Sequence, residues 1–300
     1  MPVSRKRKKT KPAGTGASRA AGPPALPDRR AMEGVLAMLT PSGSSDSTSG
    51  ALHEAQDLMY SAWETNDRRR RIVLANEALR LSPLCADAFV LLAEETAETP
   101  AEAIELYRQG VEAGQRALGP APFKEAVGHF WGLLETRPYM RARSGLAQAL
   151  WATGRHVEAI GHYREMLRLN PNDNQGIRYL LAECLLKLDR DEEVGALIDE
   201  YGEGSAEFGY TAGLLAFRSQ GDTAKARSLL RGAVTMNRHV PTYLLGRKKL
   251  PRKLPAYITV GGEDEAQEYA RRYGLCWAGT AAAVEWLAAN TGRNKPRHRS

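Results

Sequence analysis

Helical periodicity dominates the chain from residue 51 onward. Short segments place apolar side chains at i, i+3, i+4 and i+7, the spacing that puts them on one face of a helix, and runs of β-branched residues are absent. Breaks that contain Pro or Gly separate these segments at Ser82-Pro83, Thr99-Pro100, Gly119-Pro120, Asn170-Pro171 and Pro241. The pattern predicts an all-α fold in which antiparallel helix pairs are joined by short turns.

An internal repeat refines this prediction. The segments ALRLSP (78–83), MLRLNP (166–171) and AVTMNR (233–238) end alike, and LLETRP (133–138) shares their apolar and Pro positions. A repeat of 34 residues fits best from Met140, where small and apolar residues occupy the expected places: Leu146, Ala147, Leu150, Gly154, Ala159, Tyr163 and Pro171. Small residues let the two helices of a pair approach closely, and larger ones fill the space between neighbouring pairs.

About five such units fit residues 51–240, with further starts near Leu52, Ala86, Asn174 and Glu207. The unit from Asn174 departs in its second helix, where Glu193 replaces the small residue. Because one helix pair cannot bury its own apolar face, the units must stack. We therefore predict a right-handed solenoid, a tetratricopeptide-like superhelix, whose first helices line a concave inner surface.

The repeat register predicts which side chains face this groove. Positions 2, 5, 9 and 12 of each first helix point inward, and the preceding turn contributes two more residues. The candidate groove residues are Tyr60, Trp63, Arg137, Tyr139, Arg141, Gln148, Trp151, Gln175 and Arg178. Arginines beside aromatic rings would bind a peptide or protein segment that carries carboxylates. The alternative is that each of these is a solvated or packing residue, with Arg137 near a helix C-terminus beside a packed Trp131.

The segments outside the repeats have a different composition. Residues 1–50 are predicted to be a disordered basic arm, with a Ser- and Gly-rich linker at 41–50. Within the arm, residues 31–39 place Met32, Val35, Leu36 and Leu39 on one face of a short helix. This helix could dock on the body, occupy the groove, bind a partner or form only transiently. Residues 241–292 are predicted to be a basic connector and a capping helix pair, followed by a basic disordered tail at 293–300.

The net charge of +7 is concentrated at the two ends of the chain. Residues 1–30 carry +8 and residues 293–300 carry +4, which leaves −5 for the residues between them. A nucleic-acid-associated protein that uses these tails is therefore the alternative function. The residues that would carry it are Arg5, Lys6, Arg7, Lys8, Lys9 and Lys11.

Signatures of catalysis are missing from the sequence. It has no phosphate-binding Gly-rich loop, no metal-ligand spacing and no recognisable nucleophile, so we expect no enzyme, no cofactor and no metal. Cys85, Cys184 and Cys276 lie far apart and favour a reducing, cytoplasmic compartment. No run of 18 apolar residues and no secretory signal occur, so no membrane association is expected.

The spacing and residues of 51–240 resemble those of tetratricopeptide repeat proteins, although Arg143 stands where that pattern has a Trp. A narrower resemblance is to the suppressor of tumorigenicity seven family and its bacterial relatives. It rests on CADAFVLLAEETAETPAEAIELYRQGVEAG (85–114), a predicted helix at 121–136, and HVPTYLL (239–245) before a DEAQEYA helix. The resemblance implies a helical-repeat scaffold or adaptor without catalytic residues. The Ala- and Arg-rich composition would suit a bacterial source.

Overall fold

The computed structural model describes residues 29–39, 47–202, 204–253 and 258–291. Within these ranges the regular structure consists of helices, and no strand occurs. The all-α prediction is confirmed. The basic cluster at 5–11 and the tail at 293–300 lie outside the described residues.

Successive helix pairs follow an N-terminal helix, α1 (Arg29–Leu39). The first two pairs are α2 (Ser47–Glu64) with α3 (Arg68–Leu81), and α4 (Ala86–Thr96) with α5 (Pro100–Leu118). A short helix, α6 (Pro122–Glu125), leads to three more pairs: α7 (Arg137–Ala152) with α8 (His156–Leu169), α9 (Ile177–Lys187) with α10 (Asp191–Tyr201), and α11 (Ala206–Gln220) with α12 (Ala224–Met236). The chain continues through α13 (Val240–Leu244), α14 (Glu263–Gly279) and α15 (Ala283–Thr291). The five pairs match the five predicted units.

Local sequence explains where the helices begin. Thr99 and Glu102 form a capping box at the start of α5, in which each side chain accepts a hydrogen bond from the other's backbone N–H. Asp173 accepts hydrogen bonds from the backbone N–H groups of Ile177 (2.7 Å) and Arg178 (3.0 Å) and so caps α9, as its position after Pro171 suggests.

Small residues set the spacing between helices. At Gly114 of α5, an added Cβ would lie 2.9 Å from Cβ and 3.0 Å from Cα of Tyr139 in α7. Such contacts are closer than packed atoms tolerate, so only glycine permits this approach. Ala147 of α7 and Ala159 of α8 are both fully buried where this pair packs. The repeat's small positions therefore determine how closely the helices pack.

The segment predicted as one helix at 121–136 is broken in the structure. Only α6 is helical, and two 3-10 turns follow at Phe130–Gly132 and Leu134–Thr136. Gly128 has a φ of +93°, which a helix cannot continue through, and its N–H donates to the carbonyl oxygen of Leu169 (3.0 Å). The break places the Phe130 side chain in the core, where its ring lies 5.3 Å from that of Phe123.

Two boundaries also differ from the prediction. Helix α2 begins at Ser47, so the last residues of the predicted 41–50 linker are helical. Helix α14 does more than cap the end, because it packs back against α9. Its Tyr273 hydroxyl donates to Glu207 Oε1 of α11 (2.7 Å), and Trp277 and Trp286 stack with ring centroids 6.4 Å apart.

Candidate functional site

The first helices of the five pairs, α2, α4, α7, α9 and α11, form what we call the inner surface. Helix α1 lies across the first three of them. It contacts Tyr60 on α2, Glu94 on α4 and Arg141 on α7. The N-terminal half of the inner surface is therefore occupied by the chain's own N-terminal helix.

The centre of this contact is a buried carboxylate. Glu33 of α1 has only 7% of its surface exposed. Its Oε1 accepts a hydrogen bond from Arg137 Nη1 (3.1 Å), and its Oε2 accepts one from Arg141 Nη1 (2.8 Å). Two guanidinium groups thus hold one carboxylate, and charge-assisted bonds of this kind are among the stronger polar contacts in proteins.

A second carboxylate lies beneath Arg141. Asp87 of α4 is fully buried, and its two oxygens accept hydrogen bonds from Arg141 Nε (2.8 Å) and Nη2 (2.6 Å). Gln56 Nε2 of α2 donates to the same carboxylate (2.8 Å). Burial acts to lower the pKa of Arg141, but the carboxylates of Asp87 and Glu33 raise it above its usual value. Asp87 therefore fixes a charged guanidinium that points toward α1.

An aromatic ring completes the site. Two guanidinium groups lie over the Trp63 ring, with Arg30 Cζ at 4.8 Å and Arg141 Cζ at 5.3 Å from its centroid. Arg30 also forms a salt bridge with Glu94 (3.0 Å). Beside Trp63, Gly34 of α1 packs against Tyr60 so closely that a Cβ there would lie 3.0 Å from Tyr60 Cβ.

The orientation of Arg137 and Arg141 follows from helix geometry. Residues at i and i+4 lie on the same face, so both side chains point to the inner surface. The Nε of Arg137 also donates to the Trp131 carbonyl oxygen (3.0 Å), and its guanidinium lies over the Trp131 ring. Tyr139, which lies between them in sequence, is 1% exposed and packs in the core, so its expected place in the groove is wrong.

Helix α1 docks with the face opposite to its apolar one. The periodicity groups Met32, Val35, Leu36 and Leu39, but all four are exposed, and Met38 is exposed as well. The docked face consists of Arg30, Glu33, Gly34 and the half-buried Ala37. Charge complementarity with Arg137 and Arg141, together with the small Gly34, selects this orientation over burial of the apolar stripe.

The remaining predicted groove residues lie apart from this cluster. Gln148 is exposed and donates to Ser144 on its own helix (3.2 Å), and the Trp151 ring lies 4.2 Å from that of His156. Arg178, near the start of α9, donates to Asp173 Oδ2 (3.0 Å). Gln175 precedes α9 and is half-buried. Of the predicted set, the structure brings together Tyr60, Trp63, Arg137 and Arg141.

The C-terminal half of the inner surface is covered by α14. Tyr269 of α14 is buried, and its ring lies 5.5 Å from that of Tyr210 on α11. Arg272 forms salt bridges with Glu268 (2.7 Å) and Glu207 (3.6 Å). Burial raises the pKa of Glu207 to about 7, although Arg272 and the Tyr273 hydroxyl act in the opposite direction. This half is part of the folded core.

Two further observations concern the described residues only. Within them, no group of three or more His, Cys, Asp or Glu side chains has the arrangement of a metal site. No helix in the same ranges is long and apolar enough to cross a bilayer. The Arg5–Lys11 cluster lies outside these ranges, so its predicted contact with nucleic acid stays a prediction.

Comparison with known proteins identifies the family. The sequence profile described as ST7 protein matches residues 45–290. The chain belongs to the ST7 family. A suppressor of tumorigenicity 7 protein-like sequence from Bos taurus is 32% identical over 263 residues, covering 79% of this chain and 46% of the relative. The suppressor of tumorigenicity 7 protein from Macaca fascicularis is 30% identical over 283 residues, covering 79% and 52%.

This ST7-family chain spans about half the length of the curated relatives it matches. Among solved structures, it is similar to YrrB, described as a tetratricopeptide repeat protein with an unusual peptide-binding site. The TM-score is 0.42 and the identity 18%, over 64% of this chain and 93% of YrrB. The predicted membership of the suppressor of tumorigenicity seven family is confirmed by the profile match.

Proposed function

We propose that this ST7-family chain is a non-enzymatic interaction scaffold that binds a helix of a partner protein on the N-terminal half of its inner surface. The observation that carries the proposal is the Glu33 carboxylate held by Arg137 and Arg141 on that surface. The site therefore already holds one carboxylate-bearing helix. A partner helix that presents a carboxylate to the same two arginines would use the same contacts.

The arrangement supports recognition rather than general charge attraction. Arg141 is oriented by two hydrogen bonds to the buried Asp87, and Arg137 by the Trp131 carbonyl oxygen. Guanidinium groups fixed in advance lose little side-chain freedom when a ligand binds. The adjacent Trp63 ring offers an aromatic surface of the kind that anchors interfaces. We place the protein in the cytoplasm because Cys85, Cys184 and Cys276 are buried free thiols.

Peptide binding to the full-length protein tests this proposal. The first probe is an end-capped, fluorescently labelled peptide with the sequence of residues 29–39, called the Glu probe. The second, the Gln probe, is the same peptide with Gln at the position of Glu33. The proteins compared all carry Glu33→Lys, which removes the competition of α1 with the probe. In that protein we expect Arg137→Gln to weaken binding of the first probe about tenfold, the effect of losing one charge-assisted contact of roughly 1.4 kcal/mol. Arg168→Gln is the matched control, because Arg168 pairs with Glu165 on its own helix, α8.

The two probes separate carboxylate recognition from unspecific binding. The Gln probe should bind as weakly to Glu33→Lys as the Glu probe binds to the protein that carries both Glu33→Lys and Arg137→Gln. Equal affinity of both probes, or an equal effect of Arg137→Gln and Arg168→Gln, would show that the proposed site does not recognise a carboxylate.

A further inference from the structure

We infer that α1 is an intramolecular ligand of the inner surface, which closes the proposed binding site until a carboxylate-bearing helix of a partner displaces it. This inference rests on the proposed function. It adds the regulation of the site and the chemistry of the helix that opens it.

The docked face of α1 is small and polar, as expected of a reversible contact. Of its described side chains, the buried part comprises Glu33 and the position of Gly34, while the apolar stripe stays outside. The attachment depends on the two ion pairs of Glu33, the salt bridge of Arg30 with Glu94, and the contact of Gly34 with Tyr60. A helix of 11 residues is marginal in isolation, so α1 owes its order to these contacts.

Helix α14 provides the contrast. It covers the C-terminal half of the inner surface with six buried residues: Ala266, Tyr269, Ala270, Tyr273, Cys276 and Trp277. These side chains belong to the same apolar cluster as α7, α8 and α11, so removing α14 would open the core. Removing α1 would uncover charged and aromatic side chains that water can solvate. The N-terminal half is therefore the half that can exchange occupants.

The contacts of α1 define the helix that would replace it. A carboxylate must reach Arg137 and Arg141, and glycine is favoured as the next residue, because a Cβ added at Gly34 would lie 3.0 Å from two side-chain atoms of Tyr60. A basic residue three positions before the carboxylate would meet Glu94, as Arg30 does. The expected competitor is a short helix with the spacing basic-x-x-acidic-Gly.

Tethering sets the strength of the competition. Residues 40–46 join α1 to α2, and a short tether gives an effective concentration on the order of 1 mM. If a detached α1 helix binds with a Kd of about 100 μM, the tethered copy occupies the site most of the time and weakens a competitor about tenfold. Loss of the α1 contacts should remove this factor.

The test compares full-length variants with the labelled peptide of residues 29–39 as probe. Glu33→Lys places a positive charge against Arg137 and Arg141, and Gly34→Leu drives a side chain into Tyr60. Both should release α1 without altering the surface that binds it, so we expect the probe to bind about tenfold more tightly to either variant than to the wild type. Met38→Lys is the control, because Met38 is 86% exposed on the same helix.

Each outcome separates the inference from the proposed function. If the probe binds the wild type and Glu33→Lys equally, and Arg137→Gln still weakens it, the binding site stands and α1 does not close it. If the probe binds none of the proteins, hydrogen exchange of α1 in the wild type and in Glu33→Lys still decides whether α1 is docked. A concentration-dependent dimer that disappears in Glu33→Lys would overturn the intramolecular arrangement, because α1 would then dock on a second copy.

Discussion

The Glu33 carboxylate and the Arg141 guanidinium are 108 residues apart in sequence and form an ion pair of 2.8 Å. This contact joins α1 to the third helix pair, which follows α1 in sequence only after two other pairs. Because Arg141 also binds Asp87, the guanidinium connects the N-terminal helix to the repeat core. The pair therefore fixes α1 on the inner surface of this ST7-family chain.

Substitution of Asp87 should destabilise the whole fold. In Asp87→Asn the buried guanidinium of Arg141 keeps Glu33 but loses its bidentate partner, and breaking a buried pair on one side costs up to about 3–5 kcal/mol. Urea denaturation measures this change. The matched control is Glu158→Gln, whose partner Arg155 lies three residues earlier on the exposed surface, and it should unfold at the wild-type midpoint. Equal midpoints for all three proteins would mean that Asp87 does not anchor Arg141.

Two glycines should respond to alanine in opposite ways. Gly114→Ala brings a Cβ to within 3.0 Å of the Tyr139 backbone, so α5 and α7 must separate, at a cost of about 1–3 kcal/mol. Gly161→Ala on α8 meets no atom within 4 Å and should stabilise the fold by about 0.5–1 kcal/mol through helix propensity. Thermal unfolding of the two variants checks the signs. Stabilisation by Gly114→Ala would contradict the close packing of α5 on α7.

Glu207 should make stability depend on pH near neutrality. Burial raises the pKa of Glu207 to about 7 in the folded chain, whereas the unfolded chain has the ordinary value of about 4.5. Between these values the folded chain keeps a proton that the unfolded chain releases. The stability that this raised pKa contributes to the fold is fully present below about pH 4.5 and is lost as the pH rises through 7.

The pH effect is measured as the difference in unfolding free energy between Glu207→Gln and the wild type. We expect the unfolding free energy of the variant to rise relative to that of the wild type between pH 5 and pH 8, by up to about 3 kcal/mol, since each pKa unit corresponds to about 1.4 kcal/mol. Parallel pH profiles of the two proteins would show that the Glu207 carboxyl is not perturbed by burial.

The repeat register contains residues of the site that were not chosen as candidates. Counting from Ala86, the inner positions of the second unit include Asp87 and Glu94, and both contact the cluster at Arg141 and Arg30. Gln56, at the fifth position of the first unit, binds Asp87. A search restricted to arginines and aromatic rings missed these acidic partners. Pairing opposite charges at inner positions of adjacent units would have found them.

Other features depend on contacts that periodicity does not encode. The periodicity of α1 places Met32 and Val35 on one apolar face, but the helix docks through its polar side, where Glu33 pairs with Arg137, 104 residues away. The broken segment at 121–136 depends on Gly128, whose N–H bonds to Leu169 across the fold. Tyr139 lies two residues from both Arg137 and Arg141 and so on another face of α7, where its ring fills the space beside Phe123 and Phe130.

Amide hydrogen exchange of α1 in the full-length protein tests the central claim most directly. An undocked helix of 11 residues exchanges almost as fast as unfolded chain, so protection reports docking. The account predicts that the amides of residues 33–39, which lie beyond the first turn of α1, are protected in the wild type and in Met38→Lys, and that both Glu33→Lys and Gly34→Leu abolish this protection. Unprotected α1 amides in the wild type, or equal protection in all four proteins, would contradict it.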